Sequence, residues 1–269
     1  MTLNEFSYEF DVLASSYLLE GGFTVSDSSL FAFNEYEKSL FLTQSEEQYV
    51  LSVYGGKNVL GDKFEGTEET RRYLHNLVAE YFTDEPLDKS EDRNYLEKDY
   101  HGMTKHNSSF TSTMFKLPDD LWFITYESVQ TKADSKKAAC DGKYSIVQDV
   151  VPVTQDEFHR IKRNPFRGPS YRRALRLDLS DAEDPSNNGV VEIISKYGVS
   201  SYYVRYIKKL EPIILEDLPD SLSINNQTKA CECKLHEAVH RDILELAVKM
   251  AIASRQLGST SKQSKDKND

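Results

Sequence analysis

Cysteine is scarce: the 269-residue chain holds three, Cys140, Cys231 and Cys233. An odd and sparse set supports no disulfide framework and fits a reducing compartment. Long apolar runs are missing as well. None nears the roughly 20 residues that cross a bilayer, so no membrane partner is expected. The opening MTLNEFSYEF is acidic and amphipathic, without the basic and apolar regions of a secretory leader. A soluble protein made in a cytoplasm is expected. Positive charge is in the minority: 33 Lys and Arg stand against 44 Asp and Glu, a formal net charge of −11. General coating of DNA is disfavoured, because phosphate binding needs clustered Lys and Arg. Transient contact with passing DNA is still compatible with this charge. The chain has no G-x-x-x-x-G-K-[ST] loop, no G-x-G-x-x-G and no G-x-S-x-G elbow, so nucleotide binding and serine-hydrolase chemistry lack support.

Aromatic side chains are plentiful. Sixteen Tyr and thirteen Phe supply contact area at low entropy cost, which suits interfaces as well as cores. Apolar residues make up 39% and charged residues 29%, enough for a packed core under an ionic surface. The length suits one large domain or two small ones.

The first third reads as helical. Thr2 with Glu5 forms a capping box that opens a helix carrying Leu3, Phe6, Phe10, Leu13 and Tyr17, with Gly21-Gly22 as its stop. Thr43 with Glu46 reads as a second box, opening a short helix that Gly55-Gly56 ends. A third helix is expected from about Thr67, with Tyr73, Leu74, Leu77, Val78 and Tyr81 on it. Residues 83–109 lose periodicity and form a charged loop or arm. Period two then takes over in 110–116, 121–131 and 144–153, with turns at Pro118-Asp119 and Asp141-Gly142. Thr154 with Glu157 opens a short helix that ends before Asn164-Pro165. Leu175, Leu177 and Leu179 alternate with Ala174, Arg176 and Asp178, and the strand they form reads as the first of an antiparallel meander with 190–196 and 202–209. A last helix is expected over 235–257, with Val239, Ile243, Leu246, Met250 and Ala251 inward. The fold class is α+β: a helical N-terminal part, an antiparallel β-rich middle and C-terminal part, and a long C-terminal helix. The expected organisation is 1–82 helical, 83–109 arm, 110–257 β-rich with the closing helix, and 258–269 a disordered tail.

Three groups of residues bear on chemistry. His236-Glu237-Ala238-Val239-His240 is an H-E-x-x-H match, which on a helix would put two imidazoles on one face for zinc, with Glu237 as base. A third ligand is not evident downstream, and Arg241 and Asp242 follow the second His where peptidase helices carry uncharged and apolar residues. Cys231 and Cys233 lie just before the pair, but their spacing departs from structural zinc sites. Small and polar residues at a helix entry are the favoured reading, and no cofactor or metal is expected. The third group is a basic island without an intervening acid: Arg160, Lys162, Arg163, Arg167, Arg172, Arg173 and Arg176. It can contact nucleic-acid phosphates, or pair with the acidic arm Asp84, Glu85, Asp88, Glu91 and Asp92 of the same or a neighbouring subunit. Pairing between subunits is favoured, because complementary charge blocks in one chain suit a head-to-tail contact. Arg163, Arg167, Arg172 and Arg173 are the expected interface residues on the basic side.

Three stretches resemble a known family. They are FNEYEKSLFLTQSEEQYVLSVYGG (33–56) with GTEETRRYLHNLV (66–78), NPFRGPSYRRALRLDL (164–179), and VEIISKYGVSSYYVRYIKKLEPIIL with HRDILELAVKMA behind it (191–251). Together they resemble virion structural proteins of crAss-like phages of gut Bacteroidetes, whose members form rings below the portal or elsewhere in the tail. The resemblance implies a non-enzymatic homo-oligomer, a dodecameric ring in keeping with portal symmetry. It implies contacts with the portal or neighbouring tail ring proteins and a place in the virion neck or tail. It also implies that the His236 helix is a packing element.

Overall fold

The computed structural model describes residues 1–20, 32–56, 68–87, 110–131, 146–161, 164–179, 189–219 and 221–265. The chain divides into two compact units, Met1–Leu77 with Leu210–Asp269, and Val78–Lys209. The last helix therefore belongs with the N-terminal helices. The sequence pattern divides the chain differently, at 82 and 110, with that helix in the β-rich part.

The first unit is helical. Helix α1 (Leu3–Glu20) opens on the expected box. The Thr2 N–H donates to Glu5 Oε2 at 2.8 Å and the Glu5 N–H to Thr2 Oγ1 at 3.4 Å. Gly21-Gly22 falls outside the described residues. Helix α2 (Glu35–Tyr54) starts nine residues before the expected point, on a reciprocal box between Asn34 and Glu37. Thr43 and Glu46 are not its cap; both are buried in mid-helix. Thr43 Oγ1 accepts from the Ile213 N–H at 3.1 Å, and Ser39 Oγ accepts from the Leu215 N–H at 3.0 Å, pinning segment 213–215 along the helix. The helix ends at Gly55 as expected, and Gly56 takes a left-handed conformation, φ 69°. Helix α3 (Glu68–Tyr73) stops more than two turns short of the expected Tyr81 and passes through a 3-10 turn, His75–Leu77.

Helix α5 (His240–Lys265) packs on α1 and α2. It follows a 3-10 turn at Glu237–Val239 and continues beyond Gly258. Leu246 and Met250 are only half buried; Ile243, Leu244, Ala247, Val248 and Ala251 form its inner stripe. Arg255 joins it to α2, with Nη2 at 2.9 Å from Glu37 Oε1 and its guanidinium 5.2 Å from the Phe33 ring.

Among the described residues, the second unit is a seven-stranded sheet with one helix. Its strands are β1 (Val78–Thr83), β2 (Thr111–Lys116), β3 (Leu121–Thr131), β4 (Val147–Pro152), β5 (Arg173–Leu179), β6 (Val190–Ser195) and β7 (Val199–Lys208). Helix α4 (Gln155–Ile161) links β4 to β5. Val78 and Tyr81, expected on a helix, stand on β1. A six-residue run of alternating exposure there pairs with β7, and that pairing outweighs the local helical spacing. The strand order is β1-β7-β3-β4-β5-β6-β2. The expected meander of the last three strands does not form: β5 pairs with β6, but β7 lies between β1 and β3. All neighbours are antiparallel except β4 and β5, which are parallel because α4 carries the chain back across the sheet.

The sheet curls. One buried cluster gathers inward residues from all seven strands, among them Phe115, Val129, Val150, Ala174, Ile193, Tyr202 and half-buried Tyr81. Phe115 on edge strand β2 meets Tyr202 on β7 with ring centres 5.3 Å apart. Just past β1, Leu87 bridges Met114 on β2, drawing the two edges together. The alternation on β5 is real, but both its faces are covered. Leu175 and Leu177 face outward, where Phe158 and Ile161 of α4 cover them. Each such leucine contributes roughly 2 kcal/mol by burial. Ala174 and Arg176 face into the curl.

Candidate assembly interface

The basic stretch does not act as one surface. Arg176 turns inward, where its Nη1 lies 2.5 Å from Glu127 Oε1. Its Nε is 2.9 Å from Asp178 Oδ1, a close ion pair whose N–H does not point at the oxygen. Glu127 Oε2 accepts from the Tyr202 hydroxyl at 2.7 Å. Burial pushes the Glu127 carboxyl up, against the pull of Arg176. This triad sits among the inward residues of the sheet. Lys162 and Arg163 fall outside the described residues, and Arg160 is exposed on α4.

The remaining arginines belong to the connection from α4 to β5. Asn164 Oδ1 accepts from the Phe166 N–H at 2.9 Å, and the Asn164 carbonyl accepts from the Gly168 N–H at 2.7 Å. Arg173 Nη1 donates to the Phe166 carbonyl at 2.6 Å, bracing the loop. Gln148, fully buried on β4, holds the other limb. Its Nε2 donates to the Ser170 and Tyr171 carbonyls at 2.9 and 3.1 Å, and its Oε1 accepts from Ser195 Oγ at 2.6 Å. The Tyr171 ring packs edge-on against Tyr197. A loop tied at this many points presents Phe166 at 85% exposure and Tyr171 at 55%, flanked by exposed Arg167 and Arg172. Two aromatics and two arginines on a pre-ordered loop are the composition of an interface anchor. Sequence reasoning found the arginines and missed the aromatics. The signal was present in Phe166 and Tyr171 themselves, large apolar residues inside a Pro-Gly-Pro turn region.

On the acidic side, Asp84 and Glu85 are exposed immediately after β1, and Asp88, Glu91 and Asp92 fall outside the described residues. Among the described residues, neither Asp84 nor Glu85 is ion-paired with Arg160, Arg167, Arg172 or Arg173 of the same chain.

The H-E-x-x-H residues do not share one helix face. His236 is an extended cap, φ −62° and ψ 139°, whose Nδ1 accepts from the Ala238 N–H at 3.2 Å. His240 begins α5 and is buried beside Phe6, ring centres 5.4 Å apart. Its Nε2 lies 3.0 Å from the Leu235 carbonyl and its Nδ1 2.9 Å from the Met1 amine, so both ring nitrogens are engaged. Burial lowers its pKa.

The two cysteines turn to different carboxylates. Cys231 Sγ is 3.6 Å from Glu211 Oε2, and Cys233 Sγ 3.2 Å from Glu46 Oε1. Burial pushes both thiols up, Cys233 the more strongly, against the thiolate a metal requires. Among the described residues, no three His, Cys, Asp or Glu side chains converge as a metal set. Glu46, missed at the sequence level, is 1% exposed; its Oε2 has no hydrogen-bond partner among the described residues, and burial pushes its pKa up to about 7.

Comparison with known proteins accounts for nearly the whole chain. The family model for phage tail ring protein 3/4 matches residues 1–263. A relative named Ring protein 3, from Bacteroides phage crAss001, is 44% identical over 256 residues, covering 95% of this chain and 96% of its own length. Ring protein 4/5 of the same phage is 28% identical over 268 residues, covering 95% and 94%. Both matches span the helical unit and the curled sheet, and they bear out the resemblance carried by 33–78, 164–179 and 191–251. The chain belongs to the phage tail ring protein 3/4 family.

Proposed function

We propose that this chain is a non-enzymatic structural subunit of a phage virion that closes, copy against copy, into a ring of the neck or tail through which DNA passes. The observation that supports this most is the match to Ring protein 3, 44% identical over 95% of this chain. In this reading the ring sits in the head–tail connector or tail, holds twelve copies and contacts the portal or neighbouring ring proteins. The protein is made in the host cytoplasm and ends in the virion. Copy-to-copy contact uses Arg163, Arg167, Arg172 and Arg173 of one subunit against the acidic arm, Asp84, Glu85, Asp88, Glu91 and Asp92, of the next. Closed rings need such heterologous pairs of surfaces. An acidic lumen, in keeping with the net charge of −11, would keep passing DNA from sticking, and a lumen lined by basic residues would sink this part of the reading.

Two other readings have less support. A zinc peptidase needs His236 and His240 to share a metal, and one caps a turn while the other is buried with both nitrogens engaged. A nucleic-acid-binding accessory protein needs the basic island as one surface, and Arg176 is withdrawn into the sheet.

Electron microscopy of the purified protein, with its mass in solution, tests the proposal. Closed rings with a single rotational symmetry are expected. A strict monomer that is also absent from purified virions would overturn it.

A further inference from the structure

The sheet carries a second exposed surface that matches the anchor loop in reverse. Strand β1 lies at one edge of the strand order, and Glu80 and Phe82 face outward from it, Phe82 at 62% exposure. Asp84 and Glu85 continue the exposed run. Glu80 stands opposite Arg205 in the register with β7 and Phe82 opposite Tyr203, so an aromatic platform backs the strip. Tyr126 of β3 extends the platform, its ring 6.2 Å from that of Tyr203. The anchor loop is an exposed phenylalanine and tyrosine flanked by arginines. The β1 strip is an exposed phenylalanine with tyrosines behind it, flanked by carboxylates.

We infer that the β1 strip receives the 164–172 loop of a second copy: Phe166 packs against Phe82 and Tyr203, and Arg167 and Arg172 meet Asp84 and Glu85. This rests on the ring reading above and gives it a specific contact. Three observations carry it. The charges are complementary, basic on the loop and acidic on the strip, in a chain whose formal net charge is −11. Each side holds a large exposed aromatic at its centre, as energetic anchors do. The strip and the loop are also different patches of one unit, on β1 and before β5, with β7, β3 and β4 between them in the strand order. A contact between different patches propagates head to tail and can close by rotation, whereas a self-matching patch stops at a dimer.

Cysteine pairing in the full-length chain tests the contact, read beside electron microscopy of the same samples. Phe82→Cys and Phe166→Cys are made singly and together, and unsubstituted protein controls for the native cysteines. Under mild oxidation the double variant is expected to form a ladder of covalent multimers. Each single variant should form none beyond the control, yet mixing the two singles should give the covalent dimer. Charge supplies a second arm: Arg167→Glu with Arg172→Glu should lower assembly at least tenfold, and adding Asp84→Arg with Glu85→Arg should restore it. Rings that form without a ladder, or that ignore the charge reversal, overturn this contact and leave the ring reading intact. A covalent dimer from either single variant alone also overturns it, because the patch would then be self-matching. Absence of rings in the unsubstituted protein, together with absence of a ladder in the double variant, sinks the contact and the ring reading together.

Discussion

Arg176 and Glu127 meet at 2.5 Å inside the curled sheet, an ion pair from β5 and β3 with Tyr202 closing the second carboxylate oxygen. The side of β5 that looks solvent-facing in the sequence is thus an interior, and its charge is neutralised within the unit. Replacing Arg176 by Met leaves Glu127 buried without its partner. Loss of about 3–5 kcal/mol is expected, read by urea or thermal unfolding. Arg176→Met with Glu127→Leu should recover most of that loss, since neither charge then remains buried.

Glu46 predicts a pH dependence of defined sign. Its folded-state pKa is raised from 4.5 to about 7 by burial, so the folded protein holds a proton that the unfolded chain has released in that window. Stability should therefore be greatest on the acid side of the window and fall as pH rises through it. The loss reaches about 3 kcal/mol above pH 7. Glu46→Gln removes the titration. The difference between wild-type and variant stability, measured from pH 5 to 8, should widen with pH in favour of the variant. Taking the difference isolates Glu46 from His240, whose lowered pKa acts in the opposite direction.

Gln148 links the core to the anchor loop through three hydrogen bonds. Gln148→Ala strands two loop carbonyls and the Ser195 hydroxyl. A loss of about 1–3 kcal/mol is expected in unfolding experiments. Assembly should weaken as well, because Phe166 and Arg167 lose their fixed placement. Unchanged assembly in a destabilised variant would show that the loop does not need to be pre-ordered.

His236 and His240 separate capping from metal chemistry. His236→Ala removes a cap and should cost about 1 kcal/mol, while His240→Ala empties a buried site and should cost roughly 2–4 kcal/mol. Melting curves are expected to be the same with and without chelator. Stoichiometric zinc in the purified protein, together with a proteolytic activity lost in Glu237→Gln, would support the peptidase instead.

Local patterns carried much of this fold. Thr2 and Glu5, Gly55, the Thr154 turn and the strands at 111–116 and 121–131 follow from short-range chemistry and stand where the sequence puts them. What was illegible depends on distant partners. Thr43 and Glu46 have the spacing of a capping box, but Asn34 and Glu37 cap the helix and Thr43 instead holds Ile213 across 170 positions. The order of β7 between β1 and β3 is likewise invisible to a reading of neighbouring strands. At the interface the arginines were legible as a charge block. That Arg176 does not reach solvent depends on Glu127, far away on β3, and the sequence shows Phe166 as an aromatic in a turn region without showing the ties that hold it outward.

Electron cryomicroscopy of the intact virion tests the central claim most directly. A closed ring in the neck or tail is expected, its repeating density fitting both the helical unit and the curled sheet, with DNA or an open channel at its centre. Virions in which this chain is missing, or is present only as single copies outside any ring, would contradict it.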